Sequence, residues 1–246
     1  MTKLSVNLNK VATLRNTRTN GIPSLTHAAH IVLEAGADGI TLHPRPDQRH
    51  IRPDDVYQIA SLMEDYPDAE LNIEGNPFHG LLPFAADIRP AQCTLVPDDP
   101  SAFTSNQGWD VNRYRDELRG YIEQLHGWGC RVSLFMDADS DEWEVVRELG
   151  VQRIELYTEP YAEAFEDGEN LEGVLARFSA AARSARDAGL EVNAGHDLNL
   201  DNLGPFLQNV EHVSEVSIGH ALIADALEYG LAGAVRMYLA VIEVVG

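Results

Sequence analysis

The sequence Gly39-Ile-Thr-Leu-His-Pro-Arg-Pro-Asp-Gln-Arg-His-Ile-Arg52 contains a short strand pattern followed at once by a loop rich in charged groups. Ile40 and Leu42 alternate with polar residues, as in a strand that buries one apolar face. Just upstream, Gly36 stands where a helix would end in a left-handed residue. The stretch therefore predicts a helix, a strand and then a polar loop, and the rest of the chain repeats this order.

Eight strand patterns recur along the chain, and segments between them have apolar residues at helical spacing. The strands are predicted at Leu4–Leu8, Gly39–His43, Leu71–Glu74, Gln92–Val96, Arg131–Met136, Arg153–Tyr157, Glu191–Ala194 and Val216–Gly219. Helices are predicted at Leu25–Glu34, Pro53–Tyr66, Asp141–Leu149, Leu171–Ala188 and Ala221–Val244. With no break in composition, this alternation predicts one α/β domain over residues 1–246, a closed (β/α)₈ TIM barrel. An open doubly wound sheet is the alternative, but no strand is followed by the glycine-rich turn of a dinucleotide fold.

Strand alternation predicts which residues face the helices and which face the barrel interior. The outward set is apolar: Leu4, Val6, Ile40, Leu42, Leu71, Ile73, Ile154, Leu156, Val216 and Ile218. The inward set is polar: Ser5, Asn7, Asn9, Thr41, His43, Asn72, Glu74, Ser133, Asp137, Arg153, Glu155, Tyr157, Asn193 and Ser217. Because burying unpaired polar groups is costly, this interior predicts a ligand site with a hydrogen-bond network. A purely structural network is the alternative.

Charge and composition narrow the classes of function. The net charge of −21 argues against general binding to nucleic acid or to an anionic membrane. No apolar run is long enough to cross a bilayer and the amino terminus lacks a signal pattern, so we expect a cytoplasmic protein. Cys93 and Cys130 are predicted to be core residues and not zinc or disulfide partners. The scarcity of lysine beside abundant acidic residues suggests adaptation to high salt.

In such barrels the chemistry sits at the carboxyl ends of the strands, here called the rim. Arginines beside a histidine after the second strand predict a site for phosphorylated substrates. Gly219-His220 opens the final predicted helix, where backbone N–H groups can hold a phosphate. Taken singly, these features also suit capping residues and solvated loops, so their coincidence carries the prediction. The rim set is Asn7 to Lys10, His43 to Arg45, Glu74, Asp137, Glu155, His196 and Gly219-His220.

Several segments, in order, resemble the pyridoxine 5′-phosphate synthase family. They are Asn7 to Arg18, Ala35 to Arg45, Arg49-His-Ile51, Leu71 to Glu74, Val132 to Asp139, Val192-Asn-Ala-Gly-His196 and Ser217-Ile-Gly-His-Ala221. The resemblance implies a (β/α)₈ barrel with extra helices, one of them in Asp98–Trp128, and assembly as an octamer. It also implies condensation of 3-amino-2-oxopropyl phosphate with 1-deoxy-D-xylulose 5-phosphate, with release of phosphate and water and without a cofactor.

The resemblance further implies roles for individual residues. His43 and Glu74 match proton acceptors, His196 matches a proton donor, and Glu155 matches a position that stabilises the transition state. Asn7 and Arg18 match contacts to the amino-ketone phosphate, and Arg45, His50, Thr104 and Gly219-His220 match contacts to the deoxyxylulose phosphate. Such groups suit repeated proton transfer. General acid–base catalysis by one such group contributes about 10²–10⁴-fold to the reaction rate.

The chain departs from the family pattern at two places. Asn9-Lys10 stands where Asp-His is usual, and Asp197 stands where a glycine follows the distal histidine. Lys10 can supply a point charge to a phosphate, so we predict that Asn9, Lys10 and Asp197 contact substrate. Asp197 can either repel phosphate or orient His196. These departures leave open a diverged barrel that acts on another phosphorylated substrate.

A second hypothesis is a metal-binding or non-catalytic barrel that uses the rim histidines as ligands. Against it, the first strand ends in Asn-Leu-Asn-Lys10 without a His-x-His pattern, and no helix carries histidines four residues apart. We therefore predict no metal site.

Overall fold

Eight parallel strands pair in chain order and close into a barrel, with β1 hydrogen-bonded to β8. This computed structural model describes residues 1–99 and 105–245. The strands are β1 (Lys3–Asn7), β2 (Gly39–Leu42), β3 (Glu70–Gly75), β4 (Gln92–Leu95), β5 (Arg131–Met136), β6 (Arg153–Tyr157), β7 (Glu191–Gly195) and β8 (Val213–Ile218). The predicted (β/α)₈ TIM barrel is confirmed.

Helices connect successive strands, and several of them are additional to the basic pattern. They are α1 (Asn9–Asn16), α2 (Leu25–Glu34), α3 (Pro53–Met63), α4 (Leu81–Ile88), α5 (Arg115–Gly127), α6 (Trp143–Glu148), α7 (Glu159–Asp167), α8 (Leu171–Asp187), α9 (Leu203–Asn209), α10 (His220–Tyr229) and α11 (Leu231–Val245). The helix predicted within Asp98–Trp128 is α5. Helices α1, α4, α7 and α9 were not predicted, because each has nine or fewer residues, a window too short for a helical period to be recognised.

Two sequence predictions are wrong in detail. The helix predicted over Ala221–Val244 is two helices, since Gly230 interrupts it with φ +71° and ψ 151°, which is not a helical conformation. Asn9 does not continue the first strand inward, because it is the first residue of α1. Strand β8 also begins earlier than predicted, at Val213.

The outward strand residues pack as predicted. All ten are buried, at 5% exposure or less, and lie in one apolar cluster with residues of the surrounding helices. The cluster includes Val32 of α2, Ile59 of α3, Phe178 of α8 and Tyr238 of α11. Burial of this shell provides the main driving force for closing the barrel.

The inward residues near the amino ends of the strands form a polar layer that we call the floor. Arg153 contacts Glu191 at 2.6 Å, Glu215 at 3.6 Å and Gln92 at 3.2 Å. Asn193 donates to Glu215 at 3.2 Å. Because these groups bond mainly to one another, with Oδ1 of Asn193 left without a partner among the described residues, this part of the polar interior is structural, and it closes the barrel beneath the rim.

None of the helices in the described part of the chain is both long and apolar enough to span a membrane.

Candidate active site

A cavity of about 570 Å³ lies at the rim. It brings together residues from loops after most of the strands, as the closed topology requires. Twelve of the predicted site residues line it: Asn7, Asn9, Lys10, His43, Arg45, His50, Glu74, Glu155, His196, Asp197, Gly219 and His220. The sequence prediction therefore identified most of one contiguous site.

His43, directly after β2, lies between two carboxyl groups. Its Nδ1 is 3.9 Å from Oε2 of Glu74, and its Nε2 is 3.9 Å from Oδ2 of Asp98. Both distances exceed a hydrogen bond, so the three groups are close neighbours that a small movement or a substrate atom would connect. All three residues are buried.

Burial sets the protonation of this cluster. It lowers the pKa of His43 well below 6.5, and the Arg45 charge lowers it further, so the imidazole is neutral at neutral pH. Burial raises the pKa of Glu74 to about 8, with repulsion from Asp98 and Glu215 adding to the effect. Near neutral pH the pair therefore consists of a neutral base and a carboxyl group that exchanges its proton readily.

Glu155 extends from β6 into the interior beside Gly195 of β7. A Cβ at position 195 would overlap Oε1 of Glu155, so the carboxyl group needs glycine there. Its Oε2 has no hydrogen-bond partner among the described residues. Burial raises the pKa of Glu155, and repulsion from Glu74 and Glu215 raises it further. Glu155 is therefore a neutral acid with hydrogen-bonding capacity available to a ligand.

Cationic side chains converge on one side of the cavity. Burial lowers the pKa of His50 to about 4, and the next contributions come from the charges of Arg45, Arg49 and Lys10. Arg45 forms a buried ion pair with Asp98. Guanidinium and ammonium groups that converge on one volume favour a phosphate there.

The loop after β1 meets the start of α10. The Asn9 N–H donates to Oδ1 of Asn7 at 2.9 Å, and Oδ1 of Asn9 accepts the His43 N–H at 3.0 Å. Gly219 packs against Asn7, since a Cβ there would lie 3.1 Å from the Asn7 Cβ. Because α10 begins at His220, its N-terminal N–H groups lie beside this loop, where they favour an anion.

His196 follows β7 and is held by its neighbours. Its Nδ1 is 2.9 Å from Oδ2 of Asp197. Its ring lies edge-to-face against Tyr157, with centroids 5.2 Å apart. The hydrogen bond from His196 lowers the pKa of Asp197, so Asp197 is a carboxylate.

One predicted site residue within the described part of the chain, Arg18, does not line this cavity. Arg18 is exposed, because α1 ends at Asn16 and the chain then turns along the surface. Its neighbour Arg15 is buried instead, in a bidentate pair with Asp55. Thr104 lies outside the described residues.

Asp137 was predicted to share the interior with these residues, and this prediction is wrong. It lines a second cavity of about 770 Å³. The reason is local: β5 ends at Met136, and the Gly108 N–H binds Asp137 and holds it toward the segment before α5.

The sequence interpretation missed two carboxyl groups of the main site. Asp98 follows β4 in Val96-Pro-Asp98, and Glu159 begins α7 after β6. Both stand just past a strand end, the position that places a residue on the rim, so strand order alone could have identified them.

One group within residues 1–99 and 105–245 could hold a metal ion. Glu159, His196 and Asp197 offer ligand atoms within 4.8 Å of one another. Only one of the rim histidines belongs to it, so the metal hypothesis in its original form, with several histidine ligands, does not describe this group.

Comparison with known proteins gives the family. Residues 4–244 match the family described as "Pyridoxal phosphate biosynthesis protein PdxJ". A pyridoxine 5′-phosphate synthase of Albidiferax ferrireducens is 55% identical over 243 residues, which cover 97% of this chain and 96% of the relative. One from Porphyromonas gingivalis is 48% identical, covering 97% and 98%.

Solved structures give the fold. A tryptophan synthase from M. tuberculosis has a TM-score of 0.68 at 11% identity, covering 98% of this chain and 92% of that chain. A phosphoribosyl anthranilate isomerase from Thermus thermophilus has a TM-score of 0.58 at 13% identity, covering 99% and 100%. At such identities the likeness concerns the barrel alone. The match of residues 4–244 and the nearly full-length relatives show that this chain is an enzyme of the pyridoxine 5′-phosphate synthase family.

Proposed function

We propose that the protein condenses 3-amino-2-oxopropyl phosphate with 1-deoxy-D-xylulose 5-phosphate to give pyridoxine 5′-phosphate, inorganic phosphate and two molecules of water. The observation that carries the proposal is the combination of a buried His43–Glu74 pair with converging cations in one cavity. Two phosphorylated substrates need such cations, and ring closure needs such proton-transfer groups.

We assign phosphate binding to the cationic side of the cavity and to the start of α10. Because the whole chain carries −21, an anionic substrate needs a local positive region to enter. Lys10, Arg45 and Arg49 supply it, and Gly219-His220 adds backbone N–H groups. Arg18 has no part in this proposal, since its side chain is exposed away from the cavity lining.

We assign proton transfer to the buried pair, His43 and Glu74, and to His196. When the amine adds to the ketone, its nitrogen loses protons and the carbonyl oxygen leaves as water, so a base and an acid are needed in turn. His43 accepts protons as the neutral imidazole, Glu74 accepts them in the ionised form that a pKa of about 8 leaves as the minor form at neutral pH, and His196 donates a proton to the leaving oxygen. Glu155, protonated and without a partner on Oε2, donates a hydrogen bond where negative charge develops.

The proposal requires no cofactor. The atoms of the two substrates balance those of the products without any oxidant or reductant. Every remaining step is addition, elimination or proton transfer, which side chains of this cavity can perform.

We also propose that the chain self-associates as an octamer in the cytoplasm, as its resemblance to the family implies. Large apolar side chains at the carboxyl-terminal helices are exposed: Leu227 at 81%, Tyr229 at 53% and Val244 at 84%. Exposed apolar side chains of this size on neighbouring helices support a subunit contact on this face. Native mass spectrometry of the purified protein tests the octamer, and a purely monomeric species at micromolar concentration contradicts it.

The experiment for the catalytic proposal incubates the purified protein with both substrates and follows the product by mass spectrometry and the release of inorganic phosphate. We expect both products in equal amounts, and neither when one substrate is omitted. Release of phosphate without pyridoxine 5′-phosphate would indicate a different reaction on a phosphorylated substrate.

A further inference from the structure

We infer that Asp197 is a positioning residue that fixes His196 as its Nδ1–H tautomer, so that Nε2 is the nitrogen that exchanges the catalytic proton. The inference rests on the proposed function for the role of that proton, but its structural part stands on the geometry around His196.

The contact between His196 and Asp197 is short and joins a ring nitrogen to a carboxylate oxygen. Nδ1 of His196 lies 2.9 Å from Oδ2 of Asp197, a distance at which the ring nitrogen donates to the carboxylate. A carboxylate accepts only, so the proton of a neutral imidazole resides on Nδ1. A carboxylate bound to one ring nitrogen thereby determines which nitrogen exchanges protons at the other side of the ring.

The backbone shows that this placement is specific. His196 has φ +95° and Asp197 has φ +54°, a region that favours glycine. Thr158 donates to the Gly195 carbonyl oxygen at 2.8 Å, and Asn202 donates to the Asp197 carbonyl oxygen at 3.1 Å, which holds the segment in this conformation. A residue with a side chain at position 197 is retained in a glycine-like conformation, and the side chain it adds contacts the catalytic imidazole.

Packing restricts the ring as well. Tyr157 meets the His196 ring edge-to-face at 5.2 Å and 81°, and Phe135 lies 6.5 Å away at 59°. With two aromatic neighbours and the Asp197 bond, the ring has little freedom to turn its other nitrogen toward Asp197.

Other charged groups face the pair from neighbouring elements. They are Lys10 of α1, Glu159 of α7 and His220 of α10, while His43 and Asp98 lie across the cavity within electrostatic range of His196. Oδ2 of Asp197 is bonded to Nδ1 of His196 at 2.9 Å, which argues for orientation of His196 over repulsion of phosphate.

The test reads the tautomer directly. Two-bond ¹H–¹⁵N correlation spectra of the ligand-free protein, labelled at histidine, distinguish the two neutral tautomers. A His196→Gln variant assigns the His196 signals among the nine histidines. Asp197→Gly removes the carboxylate and suits the observed φ, so the fold is retained, and Asp197→Asn keeps an acceptor oxygen. Asn170→Gly is the matched control, since Asn170 has φ +51° and lies outside the cavity lining.

We expect Nδ1–H in the wild type, in Asp197→Asn and in the control, and a shift toward Nε2–H in Asp197→Gly. We expect kcat of Asp197→Gly to fall at least about tenfold with both KM values within about threefold, and Asp197→Asn to recover part of the loss. An unchanged tautomer in Asp197→Gly, or a higher KM with unchanged kcat, would overturn the inference. If the wild type makes no pyridoxine 5′-phosphate, the proposed function fails, while the spectra still decide whether Asp197 fixes the ring.

Discussion

His43 and Glu74 lie side by side under the rim, with Nδ1 3.9 Å from Oε2, and both are buried. Because one stands at the end of β2 and the other within β3, the paired strands hold their relative position. The same burial that lowers the pKa of His43 well below 6.5 raises that of Glu74 to about 8, so the order of their proton affinities is reversed and the proton resides on Glu74 near neutral pH. The imidazole is then available as a base and the carboxyl group as a proton reservoir, and this relationship underlies the predictions on Glu74.

The raised pKa of Glu74 predicts a pH-dependent effect of Glu74→Gln on stability. In the folded state the carboxyl group keeps its proton up to about pH 8, whereas its ordinary pKa is 4.5. The folded protein therefore binds more protons in that window, and its stability falls as pH rises through it. Gln does not titrate. The free energy of unfolding of the variant therefore rises relative to that of the wild type by up to about 1.4 kcal/mol for each pH unit in this window.

Urea unfolding of both proteins at several values between about pH 5 and about pH 8 measures this difference. The infrared carbonyl band of a protonated carboxyl group, taken as wild type minus variant, provides an independent control. A stability difference that does not change with pH would show that Glu74 is ionised throughout.

Lys10→Ala tests the departure in the first loop. Lys10 lines the cavity on its cationic side, and its positive charge helps to lower the pKa of His50. We expect the KM for one phosphorylated substrate to rise about tenfold with kcat within about threefold, as when ground-state binding is lost. Lys3→Ala is the control, because Lys3 pairs with Glu70 at the amino end of the barrel. If KM stays constant for both substrates, Lys10 does not bind phosphate.

Exhaustive chelation tests the metal hypothesis at Glu159, His196 and Asp197. Since acid–base groups suffice for the proposed reaction, kcat should remain within about twofold after chelation and be unaffected by added zinc at stoichiometric concentration. Metal analysis of the same sample accompanies the assay. Tightly bound metal in stoichiometric amount, whose removal abolishes turnover, would favour the metal-dependent alternative.

The net charge of −21 predicts stabilisation by salt. Repulsion between like charges is screened within about 3 Å at 1 M salt, so the melting temperature should rise as sodium chloride approaches molar concentration. Differential scanning calorimetry over a salt series measures it. A melting temperature that declines steadily with salt would show that ion pairs such as Arg15–Asp55 outweigh the repulsion.

The barrel could be predicted from sequence because its pattern is local. Alternation such as Ile40 and Leu42 against Thr41 and His43 fixes the face of each residue without reference to distant parts of the chain. Most of the predicted rim residues, though not Asp137, lie around one cavity for the same reason, since the carboxyl ends of barrel strands are adjacent whatever path the loops take.

The site features that were not predicted depend on the paths of the loops between strands and helices. The exposure of Arg18 follows from the end of α1, and the contact of Asp98 with His43 joins loops after β2 and β4. The bond between Asp197 and His196 requires two successive positive φ angles. Neither residue is glycine, so the sequence does not predict this conformation. Such features arise from tertiary packing and are not encoded in local periodicity.

The most direct measurement is the rate of pyridoxine 5′-phosphate formation by Glu74→Gln, because Gln keeps the size of Glu but cannot take up a proton. Asp137→Asn is the matched control: burial raises the pKa of this carboxyl group too, but it lines the second cavity and not the main one. We predict that kcat falls at least about 10²-fold in Glu74→Gln while both substrates still bind, and stays within about threefold in Asp137→Asn. Near-normal turnover by folded Glu74→Gln would contradict the assignment of Glu74 as the proton acceptor.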